Sequence, residues 1–134
     1  MKYLLLAYGD RKKVEALSKE EFEAIVARCR VHDDAFRGTG QVVAVDSLEW
    51  DSVTIRPRNG KPTVTDGPFA EAKEVVGSVL VIDARDLNDA IRVASLHPAA
   101  RMGEEIGWAI EIRPIGTCHA EVAARELEQS KSVK

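Results

Sequence analysis

Three features of the chain predict an α+β fold of the split βαβ type, with an antiparallel sheet and two helices on one of its faces. Residues 2–8 (KYLLLAY) and 75–84 (VVGSVLVIDA) are apolar at odd and even positions alike, the pattern of strands buried on both faces. Two other segments carry apolar residues at helical spacing, each behind a capping residue. Asn59-Gly60, set between strand-like runs, marks a tight hairpin.

In chain order, residues 2–8 form an inner strand and residues 9–17 a polar connection. Ser18-Lys19-Glu20-Glu21 has the S-x-x-E form, in which hydroxyl and carboxylate each satisfy a backbone N–H of the first turn. Phe22, Ile25, Val26, Cys29 and Phe36 then recur at helical spacing, and Gly38 and Gly40 end the helix. Residues 41–48 and 51–56 read as strands. Pro57 and Pro62 flank the Asn59-Gly60 turn and suit an edge, where no ladder N–H is lost. A small charged helix is expected over residues 68–74, with Pro68 in its first turn. Beyond the second apolar strand, Asp86 caps a helix with Leu87, Ala90, Ile91 and Ala94 on its stripe, and Pro98 breaks it. His97 is expected to cap that helix's last carbonyls. Residues 108–115 (WAIEIRPI) alternate and form a last strand; residues 119–129 read as a short exposed helix with a frayed tail.

This order is a split βαβ arrangement. The domain spans residues 1–116, and residues 117–134 are a C-terminal helical extension or tail. Two helices cover one face only, yet both inner strands are apolar on two. The second face therefore needs a cover, and a second copy of the same sheet is the simplest. The expectation is a homodimer with facing sheets and a cleft.

Composition narrows the function classes. The 134 residues suit one domain, with 45% hydrophobic and 31% charged residues. Net charge is −3 and the longest basic run is Arg11-Lys12-Lys13, so nucleic acid binding has no electrostatic footprint. Residues 75–82, the longest apolar run, are too few to span a bilayer, and the opening MKYLLLAYGD lacks a small-residue cleavage site. Cys29 and Cys118 stand alone, without metal-ligand spacing, which fits a reducing cytoplasm and inert thiols. No phosphate loop, nucleophile elbow or metal cluster is present, and no cofactor is implied.

The run Thr65-Asp66-Gly67-Pro68-Phe69-Ala70-Glu71 with Lys73-Glu74 resembles the DGPF-domain proteins, a branch of the YCII-related family. So do MKYLLLAYGD, Ile82-Asp83-Ala84-Arg85-Asp86-Leu87, His97-Pro98-Ala99-Ala100-Arg101 and Ile110-Glu111-Ile112-Arg113-Pro114. The likeness runs from Met1 to about Ile115. It implies a ferredoxin-like fold assembled as a dimeric α+β barrel. It also implies two alternatives for function: a His–Asp pair in the dimer cleft doing lyase, isomerase or dehalogenase chemistry, or a non-catalytic regulatory dimer beside an extracytoplasmic-function sigma factor.

The candidate site residues carry two readings each. Asp66 either accepts N–H groups at the start of the 68–74 segment, or waits at the cleft as a general base or histidine-orienting carboxylate. Thr65, Gly67 and Phe69 flank it, and Gly67 admits close approach of a backbone or a ligand. His32 sits at the edge of the first helix's apolar stripe and Asp33 within it. A charge there faces a cavity or partner, or else the helix has loosened and both are wet. On the functional reading His32 is the proton carrier, and the resemblance implies a histidine on this helix. Glu111 and Arg113 share the face of the last strand turned away from the helices. They are either a wet ion pair or a clamp in which Arg113, helped by Lys73, holds the carboxylate of a small organic acid.

Overall fold

The computed structural model describes residues 1–132. Six strands and five helices follow one another as β1 (Lys2–Asp10), α1 (Arg11–Glu15), α2 (Lys19–Arg37), β2 (Val42–Ser47), β3 (Val53–Arg58), β4 (Lys61–Asp66), β5 (Glu74–Asp83), α3 (Leu87–Ala94), α4 (Pro98–Arg101), β6 (Ala109–Pro114) and α5 (His119–Ser132). A 3-10 turn at Glu104–Ile106 precedes β6. Four strands form an antiparallel sheet in the order β2-β5-β1-β6, and β3 and β4 form a separate hairpin. This is the ferredoxin-like α+β fold, with the two strands that are apolar on both faces at its centre.

The pleat of those strands sorts the core. Tyr3, Leu5 and Ala7 of β1 and Leu80 and Ile82 of β5 point to one face and are buried with Phe36 of α2 and Val93 of α3. Their neighbours Leu4, Leu6, Val79 and Val81 point to the other face, where Leu4 pairs Val81 and Leu6 pairs Val79, and are only half-buried.

Local signals hold at several ends. At α2 the Glu21 N–H donates to Ser18 Oγ (3.1 Å) and the Ser18 N–H to Glu21 Oε1 (3.0 Å). The Asp89 N–H donates to Asp86 Oδ1 (2.8 Å) at α3. Asn59 and Gly60 both have positive φ, 53° and 75°, as a type I′ hairpin turn requires, and Pro57 stands opposite Pro62. α5 is exposed as expected, although it continues past Gln129; the end of the expected frayed tail, Val133 and Lys134, lies outside the described residues.

Four expectations are corrected. Residues 9–17 are not a plain connection: β1 continues to Asp10, whose buried carboxylate accepts the Lys13 N–H (3.2 Å) and caps α1. Residues 68–74 are not helical up to the start of β5. The segment is short and offers no buried stripe to offset nucleation, and Phe69, 73% exposed, lies under the Arg56 guanidinium at 5.6 Å. On α3 the buried side is Asp89, Ala90, Val93 and Ala94, while Leu87 and Ile91 are exposed. The rotation follows from Asp89. Its carboxylate accepts the Arg85 N–H (3.1 Å), Arg92 Nη2 (2.8 Å), Arg92 Nε (3.1 Å) and Gln41 Nε2 (3.0 Å), which hold its carboxyl well below the usual range. Lastly, His97 does not cap the end of α3. Its Nδ1 accepts the Ala99 N–H (3.0 Å) and caps the start of α4, whose Pro98 occupies the first turn.

Candidate functional site

α2 lies across the core face and leaves a cavity of about 420 Å³ where β1 and β5 run out beneath it. Phe22, Cys29, Asp33 and Arg37 reach it from α2 at spacings of seven, four and four, one stripe of the helix. Ser78 lines it from β5, His97 from the turn before α4, and Trp50 and Trp108 from two loops. The size suits a small ligand and the walls are largely apolar, with a few polar groups that converge.

Backbone geometry fixes the two indoles. Gly9 lies under both, and a Cβ there would stand 3.4 Å from Trp108 Cδ1 and 3.9 Å from Trp50 Cη2. Gly103, at φ 77°, packs against the Trp108 ring so closely that a Cβ would come within 2.3 Å of it. A Cβ at Gly9 would make ordinary contact with both rings, whereas one at Gly103 would clash with Trp108 and strain the backbone.

The polar groups divide the labour. Arg37 Nε donates to Asp33 Oδ2 at 2.8 Å. Neither terminal nitrogen of that guanidinium has a protein partner among the described residues. His97 is half-buried and meets Phe36 edge-on at 5.0 Å. Burial pushes its imidazolium down to about 4, against a counter-pull from Asp33 and with a further push from Arg37. At neutral pH the ring is therefore uncharged. Because Nδ1 accepts the Ala99 N–H, the proton resides on Nε2, and that nitrogen can only donate. Burial first, then Asp33, also pushes the Cys29 thiol up, so it is no thiolate.

The sequence-predicted residues are spread more widely. Asp66, exposed at the end of β4, lines a second hollow of about 520 Å³ with Arg11, Ser52, Gly67 and Pro68. Lys73 lines a third, of about 870 Å³, with Arg11, Lys12 and Lys13. Trp50 stands in the walls of all three spaces and lies 6.0 Å from the Arg11 guanidinium carbon. Gly67 turns the chain at φ 93° and donates its N–H to Ser52 O (2.8 Å). Thr65 is on the polar side of the hairpin, and Phe69 is outside these walls. Glu111 and Arg113 lie opposite Leu6 and Leu4 on the uncovered face of the sheet. There Tyr8 Oη donates to Glu111 Oε2 (2.8 Å), a bond that, with burial, pushes the phenol up. His32 is half-buried on α2 but outside all three walls, so His32 and Asp66 do not meet.

Sequence reasoning flagged Asp33 as a charge within an apolar stripe, and that charge faces the cavity. It missed Arg37, Ser78, Trp50 and Trp108, and it gave His97 only a capping role. Arg37 was within reach, one turn beyond Asp33.

Fold and cavity together define a ferredoxin-like α+β protein with a small-molecule-sized space between helix and sheet. The model of the YCII-related domain matches residues 1–115, so the chain belongs to the YCII-related family. It is also similar to an uncharacterized protein of Rhizobium meliloti (strain 1021), 32% identical over 96 residues that span 70% of this chain and 77% of that protein. α5 lies beyond the matched residues. Among the described residues no helix is long and apolar enough to cross a membrane, and no group of three or more His, Cys, Asp or Glu side chains could hold a metal ion.

Proposed function

We propose that the protein is a homodimer that binds a small organic acid in the cavity beneath α2. The observation that carries this reading is the Arg37 guanidinium at the cavity: Asp33 occupies only its Nε, which leaves the two terminal nitrogens for a carboxylate. Neutral His97 adds an Nε2–H donor and Ser78 a hydroxyl, while Phe22, Trp50 and Trp108 accept an apolar body. The dimer is supported by Leu4, Leu6, Val79 and Val81, which form an apolar face left half-buried among the described residues.

The engagement of His97 Nδ1 favours binding without turnover, as in a ligand-sensing or regulatory dimer such as one beside a sigma factor, over a His–Asp acid/base pair. In a catalytic version the base would come from Asp66 in the adjoining hollow, across Trp50. The test is calorimetric titration with a panel of small mono- and dicarboxylates, for the parent and for Arg37→Met. At least one acid should bind the parent, and the variant should bind it tenfold or more weakly, a loss of about 1.4 kcal/mol or more. Equal affinity in the variant, or a panel without a binder, would refute the reading.

A further inference from the structure

We propose that the β3–β4 hairpin is an arm that docks on a second copy of this chain and, in docking, fixes the hollow around Asp66. This rests on the homodimer reading above. The hairpin is not joined to the four-stranded sheet. A two-stranded sheet alone is marginal in water and gains stability by packing on something.

Its register sorts its side chains into two faces. Ile55 pairs with Val64 and Pro57 with Pro62, while Val53 pairs with Asp66. Val53, Ile55 and Val64 are 62%, 64% and 61% exposed, so the arm holds an apolar face in water. The opposite face carries Arg56, Arg58 and Lys61, and Arg58 and Lys61 have no ion pair among the described residues.

Charge selects the occupant. Residues 53–66 hold those three cations against Asp66, a net +2, in a chain that is −3 overall, so the remainder is −5. The rest of a second copy is therefore opposite in net charge to the arm. It also offers a matching apolar surface: the uncovered sheet face has Leu4, Leu6, Val79 and Val81, with Asp46 of β2 beside Val79, Glu111 of β6 beside Leu6 and Arg113 of β6 beside Leu4. Arm and face are each incomplete on one chain and complementary between two.

The root of the arm connects docking to the candidate site. Ser52, Val53, Asp66, Gly67 and Pro68 line the hollow that shares Trp50 with the main cavity. The root is tied by the Gly67 N–H to Ser52 O (2.8 Å) and by Thr54 Oγ1 to Gly67 O (2.7 Å). An arm held by a partner would fix Asp66 and Gly67 relative to Trp50, and an arm in water would leave them held by these two bonds and the hairpin's own ladder.

Sedimentation velocity over a range of concentrations tests the proposal, with the parent, Ile55→Ser/Val64→Ser, Arg58→Glu/Lys61→Glu and Leu6→Arg compared. The parent should dimerise. Both arm variants should retain its far-UV circular dichroism while the dimer Kd rises tenfold or more, and the parent dimer should weaken as salt is raised. The charge variant keeps the test decisive should the serine variant fold poorly, because its substituted side chains are exposed. Arm variants that dimerise like the parent, while Leu6→Arg is monomeric, would overturn the arm and leave the sheet-mediated dimer standing. A parent that stays monomeric overturns both, and one that is monomeric yet binds anionic vesicles assigns the arm to a membrane surface instead.

Discussion

The two faces of the four-stranded sheet are built from alternate residues of the same strands, yet their surroundings differ. On one face Leu5, Leu80 and Ile82 are at most 1% exposed beneath α2 and α3. On the other, Leu4, Leu6, Val79 and Val81 pair with each other and with residues of the outer strands and are only half-buried. The covered face makes the domain and houses the cavity; the open face is the one we propose for assembly. A strand of period two can serve both purposes only if it is apolar throughout, which is why β1 and β5 read as they do.

The largest effect should come from breaking the covered face. Phe36→Ala removes a fully buried ring at the junction of α2, the sheet and His97, and should cost about 3–5 kcal/mol in urea denaturation. Leu6→Arg on the open face should instead leave the far-UV spectrum intact and abolish the dimer in sedimentation. If both variants lose the fold equally, the division between the faces is wrong.

A smaller effect concerns His97 beside that core. Above pH 6.5 it is neutral whether folded or unfolded. Between 6.5 and about 4 the unfolded chain takes a proton that the folded chain refuses, so stability falls as pH drops through this window and the contribution levels off below it. His97→Asn keeps an oxygen to accept the Ala99 N–H and removes this titration. Between pH 7 and 4.5 the parent should lose on the order of 2 kcal/mol more than the variant, measured by urea denaturation at each pH. Parallel pH profiles would mean that the imidazole is wet.

The smallest effect is expected at Asp66→Asn. Asp66 is exposed, so the melting temperature should change by no more than a few tenths of a kcal/mol would produce. Acid binding in the main cavity should be nearly unchanged as well. A tenfold loss of binding or turnover would move the working site to the Asp66 hollow.

Local chemistry made much of the fold legible. Ser18, Asp86 and Asn59-Gly60 each act within four residues of themselves, so their caps and turn are readable from the chain. Misreadings arose where a distant partner decides. Asp89 is buried only because Gln41, forty-eight residues away, joins Arg85 and Arg92 around it. His97 turned to the helix that follows it because Pro98 starts that helix without an N–H of its own. The cavity was less legible than the fold. Its walls come from β1, α1, α2, β2 and the loop after it, β5, α4 and the turn before it, and the segment before β6, and no periodicity relates Trp50 to Asp33. The TDGPF run, the most distinctive stretch, lies at the root of the hairpin, next to that cavity and outside it.

A crystal structure of the protein with its best-binding small carboxylate tests the central claim most directly. The acid group should lie about 3 Å from the terminal nitrogens of Arg37, with its body between Trp50 and Trp108 and His97 within hydrogen-bond reach. A carboxylate bound in the Asp66 hollow or against Arg113 on the open face, with the cavity beneath α2 vacant, would contradict the account.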